Sequence, residues 1–142
     1  MSKQHRDPGT WLYPLPVVLV SCQGTEGPPN IITAAWAGTV NSDPPLVSVS
    51  VQPPRHSHAL IRERGEFVIN IPKASQVELV DRCGTLSGRD EDKYAACGFT
   101  PLQSQKVSVP GIAECPVQLE CKVRHTLHLG THDMFVAEIL GV

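Results

Sequence analysis

"NIITAAWAGTVNSDPPLVSVSV", Asn30–Val51, holds the two runs whose reading decides the fold. Its second run, Leu46–Val51, alternates Leu, Val, Ser, Val, Ser, Val. A strand there turns Val47, Val49 and Val51 to one side and Leu46, Ser48 and Ser50 to the other. The valine side suits a dry core; the opposite side is small and carries hydroxyls. The first run, Ile31–Ala37, predicts another strand, and "NSDPP" (Asn41–Pro45) turns the chain between the two. Trp36 is the odd residue, because Thr33, Ala34, Ala35, Ala37 and Gly38 are too small to wrap an indole. This stretch predicts a roomy sheet surface beside Trp36 that something else must fill.

Upstream, β-branched Val17–Cys22 pairs with Ile31–Ala37 as a hairpin across the turn-forming "QGTEGPPN" (Gln23–Asn30). Downstream, Pro53 and Pro54 stop the strand. "RHSHALIRERG" then predicts a helix from about His58 to Arg64, capped by Ser57 or His56 and ended by Gly65. Phe67–Ile71 is a fourth strand. Lys73–Gly84 predicts a second helix, with Ser75 as N-cap and Val77, Leu79 and Val80 as its apolar positions. "SGRDEDKYAACGF" holds a short third helix opened by Asp90, and Val117–Leu127 and Met134–Leu140 are the last two strands. Six strands with short helices between them, punctuated by thirteen prolines and eleven glycines, predict a closed or nearly closed β-barrel rather than a parallel α/β sheet.

At 142 residues the chain makes one domain with a real core, without need of a metal or disulfide staple. A formal charge of −2 lacks the basic excess that nucleic acid requires. The longest apolar run, Trp11–Cys22, is broken by Pro14 and Pro16 and is too short to span a bilayer, so a cytoplasmic protein without a membrane partner is expected. Five cysteines, an odd number without a C-x-x-C pair, read as small buried hydrophobes in a reducing compartment. No local motif marks any of them as redox-active. The chain stops at "AEILGV", which leaves two readings, a compact domain or one lacking further C-terminal sequence.

Candidate chemistry begins at "PPRHSHALIRERG". A helix N-terminus offers free amides and the positive end of the dipole, and here Arg55 and Ser57 stand beside it. That combination suits a terminal phosphate; an ordinary surface helix with a solvated Arg55 is the alternative. The hydroxyls of Thr33, Ser48 and Ser50 point toward the same corner. Lys93 reads locally as a surface lysine paired with Asp90 or Asp92. His125 and His128 fall on opposite faces of one strand, a poor start for a metal site, so no metal is expected. His132, in a turn before the last strand, is better placed to touch a ligand. Rossmann, P-loop and nucleophile-elbow motifs are absent.

In their order and spacing, Asn30, Thr33-Ala34-Ala35-Trp36, "DPPLVSVSV", "RHSHALI", "GEFVINIP" and the later "GTHDMFVAEI" resemble the flavin reductase-like family, most closely its flavoredoxin branch. The resemblance implies a mainly β fold, an FMN-binding split barrel of Greek-key type with short connecting helices, spanning residues 1–142 as a single domain. It implies FMN as the missing partner. Asn30, Thr33, Ala34, Ala35 and Trp36 would line the flavin. The backbone and hydroxyls of Ser48, Val49 and Ser50 would touch the ring and ribityl chain, and Arg55, His56 and Ser57 would hold the phosphate. Lys93 and His132 would also approach the cofactor. Members are typically homodimers and usually continue with a C-terminal segment that packs over the flavin.

The expected activity is electron or hydride transfer through bound flavin, with NAD(P)H as donor and no side chain as covalent catalyst. Two rivals stand beside it: an FMN electron carrier served by a protein electron donor, and a non-redox module holding another flat or phosphorylated ligand.

Overall fold

In the computed structural model, which describes Met1–Val142, Val18–Cys22 forms strand β1, buried at every residue. Its burial on both faces, with the one polar residue Ser21 donating to the carbonyl of Pro110, reflects a position between two partners and under a second layer. β1 pairs antiparallel with β2 (Asn30–Ala34) on one side and β5 (Glu66–Ile71) on the other. The remaining large strands are β3 (Ala37–Asn41), β4 (Leu46–Val51), β8 (Val117–His128) and β9 (Asp133–Gly141). They complete a seven-stranded antiparallel sheet in the order β2-β1-β5-β8-β9-β4-β3, while β6 (Pro101–Leu102) and β7 (Gly111–Ile112) form a separate pair.

That order explains the shape. β2 and β3 are consecutive in the chain yet occupy opposite edges of the sheet. The sheet therefore curls until its edges stand only Ala35 and Trp36 apart, giving a mainly β, half-barrel architecture. The single strand expected over Ile31–Ala37 is corrected to two: Ala34 is the last residue paired with β1, opposite Val18, and Ala37 is the first paired with β4, opposite Val49. One straight strand could not serve both edges. The amide of Ser50 donates to the carbonyl of Trp36 at 2.9 Å and fixes this corner.

Inside the curl, Val18, Val20 and Cys22 meet Val47, Val49 and Val51, together with Ile61, Phe67, Ile69 and Phe135. The alternation of Leu46–Val51 is borne out, with its valines buried and its Leu and Ser positions part-exposed. Burying a side chain such as Phe67 contributes about 2–3 kcal/mol. A second cluster lies outside the curl, where Leu19 and Ile31 pack against Val80, Cys83, Tyr94, Cys97 and Phe99. Asn70 sits fully buried between these layers, donating to the carbonyl of Leu19 and accepting from the amide of Ile112.

Three helices fill the connections. α1 runs His56–Arg64 with Arg55 as N-cap, and Gly65 closes it at φ 72°, a conformation that favours glycine. It begins earlier than the expected His58 because neither Ser57 nor His56 caps it. The Ser57 hydroxyl is instead drawn to Asn30. α2 runs Val77–Thr85 behind a short 3-10 turn, Ala74–Gln76, which takes in the expected cap Ser75. The side chain of Gln76 accepts from the amide of Lys73 there, Val77 is exposed, and Val80 and Cys83 are the buried positions. α3 runs Lys93–Cys97, opened by Asp92 rather than Asp90, because the Asp92 carboxylate accepts from the amide of Ala95. No helix is long and apolar enough to cross a membrane.

Candidate functional site

A cavity of about 490 Å³ opens at the seam where the sheet edges meet, a size typical of cofactor sites. β2 and the Ala35–Trp36 corner form one wall, joined by Ser50 from β4 and Pro54–Ser57 entering α1. The segment Cys83–Arg89 leaving α2, Lys93 at the head of α3 and His132 from the β8–β9 turn complete it. Eleven of the residues expected at the site meet here: Asn30, Thr33, Ala34, Ala35, Trp36, Ser50, Arg55, His56, Ser57, Lys93 and His132. Two do not reach this cavity. The Val49 side chain is fully buried in the core, on the other face of β4. Ser48 faces an adjoining apolar hollow with Trp11, Leu12 and Leu15.

The wall is held by specific polar contacts. Asn30 Nδ2 donates to Ser57 Oγ at 2.8 Å, tying β2 to the first turn of α1. This leaves the serine its own proton to donate. Thr33 Oγ1 donates to the carbonyl of Val80 at 2.6 Å, so that hydroxyl's proton is committed to α2. Trp36 and His132 lie ring to ring at the rim, centroids 4.4 Å apart and tilted by 38°. Gly88 passes so close that any Cβ there would overlap the Asn30 carboxamide, and a Cβ at Gly84 would stand 3.3 Å from that of Thr33.

The electrostatics are one-sided. Arg55, Arg89 and Lys93 line the cavity and no Asp or Glu does, although acids outnumber Lys and Arg in the chain by 14 to 12. None of these three cations makes an ion pair; the pairs formed are His58–Asp133, His128–Asp133 and Arg124–Glu138. Lys93 is not the surface lysine its local sequence suggests. It is buried, and Nζ donates to the carbonyl of Cys83 at 2.7 Å. Its expected partner Asp92 is occupied in capping α3. Burial holds the Lys93 amine below the usual lysine range, and His56 is lowered by burial and by nearby Arg89 and Lys93. No side chain caps the N-terminal amides of α1. Cations without an ion pair and the uncapped start of α1 share one wall, an arrangement that suits an anion.

The sequence reading missed the segment Cys83–Arg89. Its only signal is "CGTLSGR", two glycines and an arginine after a helical pattern, and nothing local joins it to Asn30 or Thr33.

A curled antiparallel half-barrel with an anion-ready cavity at its seam defines the flavin-binding split-barrel class. The chain belongs to the family described as "Flavin reductase like domain", which matches residues 10–142. A protein of Archaeoglobus fulgidus, described only as uncharacterized, is 41% identical over 132 residues, which cover 93% of this chain and 73% of that one. Flavoredoxin of Desulfovibrio vulgaris (Miyazaki F) superimposes with a TM-score of 0.91 at 36% identity, covering 99% of this chain and 75% of its own. An FMN-binding protein from Thermus thermophilus superimposes with a TM-score of 0.85 at 25% identity, covering 99% and 79%. These likenesses support a flavin-related oxidoreductase.

Proposed function

We propose that the cavity binds FMN and that the protein is a flavin-dependent oxidoreductase, transferring hydride or electrons from NAD(P)H or from a protein donor. The carrying observation is the acid-free wall on which Arg55, Arg89 and Lys93 surround the uncapped start of α1. A phosphate there would receive the Arg55 guanidinium, the Ser57 hydroxyl and the first amides of α1. We assign Lys93 to the same end, because it lines the same cavity as Arg55 and Arg89. The small side chains of Ala34 and Ala35 let a flat ring lie against backbone, with Trp36 and His132 at its edge. When bound, flavin supplies both one-electron and hydride chemistry. The residues of this chain bind it, orient it and neutralise its charge.

We also propose that a second copy of the chain covers the exposed Trp11, Leu12 and Tyr13 beside the Trp36 corner, and that the five unpaired thiols fit a reducing, cytoplasmic setting. Absorbance of the purified protein tests the cofactor: stoichiometric flavin bands are expected, and a colourless protein indifferent to added FMN would refute the assignment. Anaerobic mixing then separates the donors. Bleaching by NADH or NADPH marks a reductase; bleaching only by a reduced protein marks a carrier.

A further inference from the structure

We propose that Cys83 and Cys97 form an oxidisable pair on the cavity wall, closed to a disulfide by a small hydroperoxide that enters through the cavity. The Sγ atoms, 14 residues apart in sequence, lie 3.1 Å apart, and both cysteines are buried. The other three have no thiol neighbour: Cys22 points at the carbonyls of Asn30 and Ser57, Cys121 at that of Leu119, and Cys115 makes no such contact. Of the five, Cys83 alone lines the cavity. Cys83 has no exposed surface and Cys97 is 4% exposed, so a peroxide reaches the Cys83 sulfur when this wall of the cavity opens, with the second thiol directly behind it.

The geometry asks for little movement. A disulfide bond is about 2.0 Å long, so the sulfurs need to approach by about 1 Å. The two helices are already tied at this point, since Lys93 opens α3 one turn before Cys97 and its Nζ holds the carbonyl of Cys83. The new bond would pin α2 to α3 beside that buried cation.

The chemistry balances with peroxide as oxidant. Cys83 gives up its thiol proton and its sulfur attacks one peroxide oxygen; the O–O bond breaks, water leaves, and Cys83 becomes a sulfenic acid. The Cys97 sulfur then displaces that hydroxyl, the second water leaves, and the S–S bond forms. Two thiols lose two electrons and one peroxide becomes two waters. Burial and the Cys97 thiol push Cys83 up to about 12, against the opposite pull of Lys93 and Arg82. The pair is thus a slow responder that ignores weak oxidants.

This inference stands without the flavin reading, and its test uses the full-length protein with no flavin added. The protein is treated with graded hydrogen peroxide, denatured, alkylated and weighed intact, then digested and mapped. Two of the five thiols should be lost together, with the mass of two hydrogens. A Cys83–Cys97 cross-linked peptide should appear and dithiothreitol should restore both thiols. Cys83 and Cys97 should disappear together, before Cys115 or Cys121. Cys97→Ser should halt at a sulfenic acid on Cys83, trapped by dimedone, while Cys115→Ser should form the disulfide as wild type does. Five alkylatable thiols after treatment, prior oxidation of Cys22, Cys115 or Cys121, or a different cross-link would each overturn the proposal. The wild-type peptide map decides the matter even if Cys97→Ser does not fold.

Discussion

Helix α1 carries two kinds of charge within four residues. Arg55 and His56 face a cavity without a carboxylate, whereas His58 turns away and meets Asp133 at 2.7 Å, with His128 on the other oxygen at 2.8 Å. The contrast extends through the molecule. Glu66 accepts from Ser108 and Glu120 from the amides of Gln105 and Lys106. Arg124 pairs with Glu138. Charges that hold the fold are partnered, and the cavity's cations are not. Arg55 and Arg89 are exposed and only Lys93 is buried; burying Lys93 without a counter-charge costs stability, which an anionic ligand would offset.

The largest expected effect tests the partnered side. His58→Ala removes a charge-assisted hydrogen bond and the ring packed against Phe135, and should cost about 3 kcal/mol in denaturant unfolding. Flavin affinity of the folded variant should stay within a few-fold; a loss as large as that in stability would erase the distinction between the two faces of α1. The same cluster has an acid signature. His128, then His58, hold Asp133 below the ordinary carboxylate value of 3.8. Its stabilisation is full above that value and is lost as pH falls through the lower folded one. Asp133→Asn should flatten this acid limb of an unfolding series, and an unchanged limb would show that the cluster does not carry it.

Next comes the unpartnered side. Arg55→Ala should weaken FMN by about 1.5–3 kcal/mol, roughly 10- to 150-fold, and riboflavin far less. Equal losses in a titration of the two ligands would mean that Arg55 is not at the phosphate. Arg55 and Arg89 are both exposed, but Arg55 adjoins the first amides of α1 and Arg89 does not, so Arg89→Ala should cost less.

Lys93→Met sharpens the comparison because its two effects oppose each other. It should stabilise the ligand-free protein by about 1–2 kcal/mol while weakening FMN. In the wild type the unfolded chain holds the Lys93 proton more tightly than the folded one. The penalty is therefore full below the lowered folded value and fades as pH rises toward the ordinary 10.5. Melting curves should show that rise in wild type and its absence in the variant. A variant less stable than wild type at neutral pH would mean that the bond to Cys83 outweighs the burial of charge. The smallest effect is expected at the rim, where Trp36→Ala should cost about 0.5–1.5 kcal/mol of flavin affinity and shift its absorbance. An unaltered spectrum and affinity would remove Trp36 from the ring.

Much of the barrel was legible in the chain because strand faces repeat every two residues. Val47, Val49 and Val51 could be sent to the core and Ser50 to the cavity from alternation alone. The break at Ala35–Trp36 was not legible, since a run of small residues shows no stop and only the curl of the sheet requires one. Helix starts erred for a related reason. Ser57 and Asp90 look like caps, but Ser57 is claimed by Asn30, 27 residues away, and Asp92 serves α3 in place of Asp90.

By itself the chain's pattern determined most of the long strands, the core face of Leu46–Val51 and an Arg-His-Ser start to a helix, because alternation, proline and glycine act over a few bonds. Tertiary structure alone decided that Arg89 and Lys93 join Arg55 with no acid among them, and that Cys83 meets Cys97. Those neighbours are far apart in sequence, and they come together only where a curled sheet brings its two edges, and the helices packed outside them, to one seam.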